Sequence, residues 1–217
     1  MRYFTSFSTL FALLLLTTVS CEQVDELIGG LNSAPTVSYS STTIDAEFYT
    51  PGRSSTPSID WNGDQGTISL GTTLDGLSVN STTGQLTWTK LLPVGTHDVD
   101  VIVSNSEGQV VVPITIDNPL AGTFEGTYAG TSAFKLEVFG DGNITLYADG
   151  EVATGTWTIE EGKFTAYYVY NNYPDIDYSL VADVNQTNTE ATIVGDYYEG
   201  QYSPGDDPIN VFEVSLQ

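Results

Sequence analysis

From residue 35 onward, apolar side chains recur at every second position in short runs, and clusters of Gly, Asn, Asp, Ser and Pro separate the runs. A repeat of two is the pleat of a β-strand, which buries one face and wets the other. A helix needs a repeat near 3.6, and no long run of helix-forming residues carries one here. Thr, Ser, Gly, Val and Tyr dominate, as strands and their turns require. The fold class is therefore read as all-β. Asp25–Ile28 is the one candidate helix. The Gly29-Gly30 and Asn32-Ser33-Ala34-Pro35 that follow it mark a flexible tether instead.

Two textures divide the alternating region. Over 35–118 the apolar pairs are Val37/Tyr39, Ile44/Ala46/Phe48, Ile59/Trp61, Ile68/Leu70, Leu77/Val79 and Leu86/Trp88. Two longer runs follow, Val99/Val101/Val103 and Val110/Val112/Ile114/Ile116. About seven such strands predict a sandwich of two antiparallel sheets. Residues 119–122 (Pro119-Leu120-Ala121-Gly122) read as a linker. Beyond it, in 123–217, lie ten of the thirteen tyrosines. Candidate strands fall at 123–129, 133–139, 143–148, 153–160, 163–170, 177–184, 190–198 and 209–216. Eight strands joined by short links expose two edges unless they close, so an up-and-down antiparallel barrel is expected. One shared apolar face runs through Phe124, Phe134, Leu136, Ile144, Leu146, Phe164, Leu180, Ile193, Phe212 and Val214. Gly126, Gly155 and Gly195 inside strands suit tight bends.

Charge excludes several partners. The chain has 28 acidic and five basic residues, a formal net charge of −23. Binding to nucleic acid displaces counterions with clustered Lys and Arg, and no such cluster exists. Attraction to anionic lipid surfaces is excluded on the same ground. No phosphate loop, zinc spacing or nucleophile elbow is present, and no cofactor is expected.

The N-terminus addresses the chain for export. Arg2 precedes an apolar core of Leu10-Phe11-Ala12-Leu13-Leu14-Leu15-Leu16, then Thr18-Val19-Ser20 and Cys21, the only cysteine. This pattern describes a signal peptide over 1–20. Its apolar run is far short of the ~20 residues that span a bilayer. The junction resembles the lipobox of bacterial lipoproteins, which implies that Cys21 is lipidated and begins a tether over 21–34. Glu22, Asp25 and Glu26 resemble the surface-export signals of Bacteroidetes lipoproteins. The expected location is thus the bacterial cell envelope, at the outer membrane and lipid-anchored, with surface exposure implied by those signals.

The two units carry resemblances of their own. Gly76-Leu77-Ser78-Val79-Asn80-Ser81-Thr82-Thr83-Gly84-Gln85-Leu86 and Gly95-Thr96-His97-Asp98-Val99-Asp100-Val101 resemble a bacterial Ig-like, cadherin-like module, which implies a spacer or adhesion role. Phe124-Glu125-Gly126-Thr127-Tyr128, Thr154-Gly155-Thr156-Trp157 and Val194-Gly195-Asp196-Tyr197 resemble the meander of lipocalin-like and avidin-like barrels. Those families bind small or apolar molecules at the barrel mouth.

Candidate sites follow. Tyr168, Tyr170, Tyr173, Tyr178, Tyr197 and Tyr202 are the candidate ligand-binding residues, because a tyrosine ring offers a flat apolar face with a polar tip. Tyr170, Tyr173 and Tyr202 are expected to meet at one barrel opening. Asp117 and Asn118 at the unit junction are the candidate calcium ligands, since hard cations gather carboxylate and carbonyl oxygens. His97 is read as a structural residue, lacking metal-ligating partners. No catalytic residue is assigned. A glycan hydrolase would need two carboxylates ~5–10 Å apart, one of them buried, and Asp175, Asp177 and Glu199 are the group to inspect. The expected function is a non-catalytic binding module whose Ig-like spacer presents a barrel to a glycan or small apolar ligand. The alternative is a structural or adhesive protein acting on protein partners.

Overall fold

The computed structural model describes residues 32–217 apart from Glu161; the leader, Cys21 and the acidic residues after it lie outside the described residues. Every regular element among the described residues is a strand. The first nine strands build the sandwich: β1 (Thr36–Ser38), β2 (Thr43–Asp45), β3 (Gly52–Arg53), β4 (Ser58–Asp60), β5 (Thr67–Leu70), β6 (Leu77–Val79), β7 (Leu86–Trp88), β8 (Gly95–Asn105) and β9 (Gly108–Asn118). One sheet runs β2-β9-β8-β5, a second runs β3-β7-β6, and β1 pairs β4 beside them. Leu86 and Trp88 from one sheet meet Ile68, Val101, Val103, Ile114 and Ile116 from the other, all at most 8% exposed. Burying these inward residues is the main stabilising term of such a sandwich.

The sheets depart from the expectation in one pairing. β2 runs parallel to β9, with Ile44 opposite Ile116. Two further main-chain bonds extend that seam, Ala46 N–H to the Asp117 carbonyl (2.7 Å) and Thr115 N–H to the Thr42 carbonyl (2.8 Å). Hairpins enforce antiparallel neighbours only between consecutive strands, and β2 joins a strand far along the chain.

Turn chemistry fixes the sandwich hairpins. Asn80 Oδ1 accepts the N–H of Thr82 (2.9 Å) and of Thr83 (3.0 Å), and Gly84 takes φ +73° to return the chain into β7. Asn105 Oδ1 does the same for Glu107 (2.9 Å) and Gly108 (3.1 Å) between β8 and β9. Both are the side-chain mimicry of a turn that favours Asn at such positions.

The remaining strands close into a barrel in sequential order: β10 (Gly122–Tyr128), β11 (Ser132–Val138), β12 (Asn143–Ala148), β13 (Glu151–Glu160), β14 (Lys163–Tyr170), β15 (Tyr173–Gln186), β16 (Ala191–Glu199) and β17 (Asn210–Leu216). β17 pairs back to β10, with Phe124 opposite Leu216, so no edge is left open. Every inward residue expected from the alternation joins one core, in which Phe124, Leu136, Leu146, Phe164, Leu180, Ile193, Phe212 and Val214 are at most 1% exposed. Gly126, Gly155 and Gly195 sit where neighbouring strands press closest. A Cβ on Gly155 would stand 2.0 Å from the Tyr167 carbonyl oxygen, and one on Gly195 would stand 2.2 Å from that of Val181.

The barrel has two unlike ends. Its base, at the 139–142 and 187–190 links, faces the sandwich. Leu120 and Phe48 enter the barrel core there, with Phe48 6.1 Å from Phe124 between ring centroids. Gln186 Nε2 donates to the carbonyls of Lys90 (2.8 Å) and Leu92 (3.0 Å), and the Tyr49 hydroxyl donates to that of Thr187 (3.0 Å). Phe48 was expected on a sandwich strand with Ile44 and Ala46. Instead β2 ends at Asp45, a turn binds Thr50 N–H to the Glu47 carbonyl (3.1 Å), and Tyr49 takes φ +55°. That turn swings Phe48 across to the barrel. The opposite end carries the 129–131, 149–150, 171–172 and 200–209 links.

Candidate functional site

The end of the barrel remote from the sandwich holds a cavity of about 310 Å³. That volume stands at the small end of the roughly 300–1,000 Å³ of ligand pockets. Inward parity near the strand ends brings Tyr128 from β10, Tyr168 and Tyr170 from β14, Tyr173 and Tyr178 from β15, and Tyr197 from β16 to its wall. Asp149, Glu151 and Glu199 complete the lining with Ala148 and Ile209.

Two local irregularities create the opening. Asp149 (φ +51°) and Gly150 (φ +83°) form a two-residue turn between Ala148 and Glu151. Positive φ at both centres is the hairpin geometry that Asp-Gly favours. This turn puts Asp149 and Glu151 side by side at the rim. On the next pair of strands, Tyr170 pairs with Tyr173 directly after Val169 pairs with Asp177, so Pro174, Asp175 and Ile176 bulge out of register. The bulge lets β15 start at Tyr173, whereas the expected strand began at 177.

The rings meet at steep angles. Tyr170 stands at 79° to Tyr168 and 80° to Tyr178, with centroids 5.7 and 5.3 Å apart. Tyr168 and Tyr178 lie stacked at 21° and 5.7 Å, and Tyr197 meets Tyr128 at 82° and 5.7 Å. Edge-to-face contacts of this kind are a favoured aromatic geometry, worth about 0.5–1.5 kcal/mol beyond area burial. Burial pushes the Tyr170 phenol up to about 12 and drives Tyr168 well above its ordinary value. The Tyr128 hydroxyl donates to Asp149, and that bond raises the Tyr128 phenol. Every resolved shift of a phenol in the mouth is thus upward, further from pH 7. Glu151 accepts a hydrogen bond from Asn172 Nδ2.

Five of the six expected tyrosines, Tyr168, Tyr170, Tyr173, Tyr178 and Tyr197, line this cavity together. Tyr202 does not. It packs on Tyr198 with centroids 4.9 Å apart. Tyr198 follows the inward Tyr197 and so faces the outer wall, and the 200–209 link lays Tyr202 against it. Tyr128, Asp149 and Glu151 were not anticipated as site residues. The Asp-Gly pair between two alternating runs was the available signal for the last two.

The remaining candidates stand apart from this site. Asp117 accepts the Thr96 hydroxyl (2.9 Å), while Asn118, 1% exposed, points to the opposite face and donates to the carbonyls of Leu92 and Pro93 (both 2.9 Å). Among the described residues no group of three or more His, Cys, Asp or Glu is placed to hold a metal ion. His97 Nε2 lies 2.9 Å from the Pro93 carbonyl oxygen. Asp175, Asp177 and Glu199 are all exposed; Glu199 lines the mouth, whereas Asp177 borders a shallow outer depression over Gly155. A second outer depression lies over Gly126, where Lys135 is already paired with Glu137 (2.6 Å) and lies over the Tyr147 ring.

No protein-family model matches the sequence, and no curated protein does. Similar solved structures include human protocadherin-24 EC1-2, at TM-score 0.38 and 13% identity over 86% of this chain and 96% of that one. Another is a quinonprotein alcohol dehydrogenase-like protein from Bacteroides thetaiotaomicron, at TM-score 0.32 and 12% identity over 78% of this chain and 58% of that one.

Proposed function

We propose that this chain is a non-catalytic binding module of the bacterial envelope, anchored by lipid at Cys21, whose sandwich carries a barrel that takes a small ligand at its free end. The observation behind this reading is the tyrosine-lined cavity at the end of the barrel that the sandwich does not cover. Its neutral rings suit a ligand with a flat apolar face, such as a sugar or a small apolar molecule. An adhesive role would use a broad apolar patch on the sandwich instead. Among the described residues, the large apolar side chain that the sandwich exposes is Val111, at 42%.

Glycan and lipid arrays probed with the purified protein test the binding reading. Retention on one ligand class, lost in Tyr170→Ala with the circular dichroism spectrum unchanged, is the expected result. Uniform silence would turn the reading to the adhesive role. Palmitate-analogue labelling of cells tests the anchor: Cys21→Ser should abolish the label, and equal labelling of parent and variant eliminates lipidation.

A further inference from the structure

We propose that the ligand of the barrel mouth is an organic cation, a protonated amine or quaternary ammonium group, held in the tyrosine box beneath a carboxylate rim. This rests on the reading of the mouth as a binding site and adds the sign of the ligand's charge.

The rings supply the first reason. Tyr170 is nearly perpendicular to both Tyr168 and Tyr178, and Tyr197 is nearly perpendicular to Tyr128. The cavity is therefore walled by tyrosine rings set at several orientations, Tyr168 and Tyr178 stacked on each other at 21° and the others crossing them or one another steeply. A neutral phenol ring carries negative potential on its face, and several such faces around one point attract an ammonium ion more than any neutral group of equal size. The phenols of Tyr168 and Tyr170, which burial raises above an ordinary value already well above pH 7, are neutral, so the attraction comes from the ring faces and not from phenolate.

The rim supplies the second. Asp149, Glu151 and Glu199 are the charged side chains lining the cavity, and no Lys, Arg or His lines it among the described residues. The basic side chains of the described region stand elsewhere. Lys163 pairs with Asp183 (2.6 Å) on β14 and β15 toward the base, and Lys135 pairs with Glu137 (2.6 Å) on the outer wall. Lys90 lies over Tyr49 beside the sandwich junction, and Arg53 is on β3. Neutral donors hold two rim carboxylates in place, the Tyr128 hydroxyl for Asp149 and Asn172 Nδ2 for Glu151. A narrow opening with one sign of charge above low-dielectric walls focuses its field on an entering ion. An anionic ligand would face that field unpaired, and a neutral one would gain nothing from it.

The experiment compares ligands of one shape and two charges. Choline and benzyltrimethylammonium are titrated into the purified protein by calorimetry, beside their neutral carbon isosteres (the tert-butyl analogues) and a set of neutral sugars. The expected result is that at least one cation binds about tenfold more tightly than its isostere. Asp149→Asn and Glu199→Gln, which remove rim charge at exposed positions, should each weaken the cation about fivefold or more and leave the isostere unchanged. Raising salt should weaken the cation alone. Equal affinity for cation and isostere, or a preference for a neutral sugar lost in Tyr170→Ala, overturns the charge assignment while the binding reading stands. Silence of every cation, isostere and sugar overturns both.

Discussion

Phe48→Ala is the sharpest test of how the two units are joined, because the residue belongs to one unit by sequence and to the other by packing. Its side chain is 6% exposed and lies in the barrel core against Phe124. A buried aromatic removes about 150–250 Å² from water, which at ~25 cal/mol/Å² corresponds to about 4–6 kcal/mol. That figure is an upper bound, because real unfolded chains already bury part of their apolar surface. The alanine Cβ remains, and the base of the barrel can relax where a sealed core could not. The expected loss is therefore about 3 kcal/mol, the low end for Phe→Ala. Native-state hydrogen exchange read by mass spectrometry separates the units without disturbing other side chains. Barrel amides around Leu136, Leu146 and Ile193 should exchange about a hundredfold faster in the variant, since about 1.4 kcal/mol is one decade. Unchanged barrel protection, with any loss confined to β2 and its sandwich neighbours, would return Phe48 to the sandwich.

Gly155→Ala should lower stability by about 3 kcal/mol, the upper end for over-packing, because the new Cβ meets the Tyr167 carbonyl oxygen at 2.0 Å and backbone cannot swing aside. An unchanged urea midpoint would show that the strands do not approach so closely. Alkaline titration followed by phenolate absorbance should be staged, with Tyr168 and Tyr170 ionising after the exposed tyrosines. Both phenols are raised in the folded chain above the ordinary value of 10.0, so the stability they contribute is complete below about pH 10 and is lost as pH rises toward 12 and beyond. A single titration step near the ordinary value for all tyrosines would contradict the buried cluster.

Alternation carried most of the barrel. Once the inward parity of Phe134, Leu136 and Val138 is set, each short turn passes it to the next strand, and closure follows from the strand count. The same parity placed Tyr168, Tyr170, Tyr178 and Tyr197 on the inner wall. What it missed depends on local chain path or on distant partners. Pro174 and Asp175 read as a link, but a bulge absorbs them while pairing continues on both sides. Tyr202 lies in a link without a pleat, where parity has no meaning, so nothing local marks its stack on Tyr198. Phe48 keeps the alternation of Ile44 and Ala46, yet a turn intervenes and its partner is Phe124, far along the chain. The parallel seam of β2 with β9 is likewise a choice between non-neighbours.

That seam also determines how the molecule responds to mechanical load. β2 lies near the start of the sandwich, and β9 runs within four residues into the first barrel strand. Tension between the N-terminal side and the barrel drags these two strands in opposite directions along their shared axis. Their hydrogen bonds are then strained together, as in a sheared lap joint, and do not open one after another like a zip. A chain held at one end and gripped at its barrel would yield last at the seam between Ile44 and Ile116.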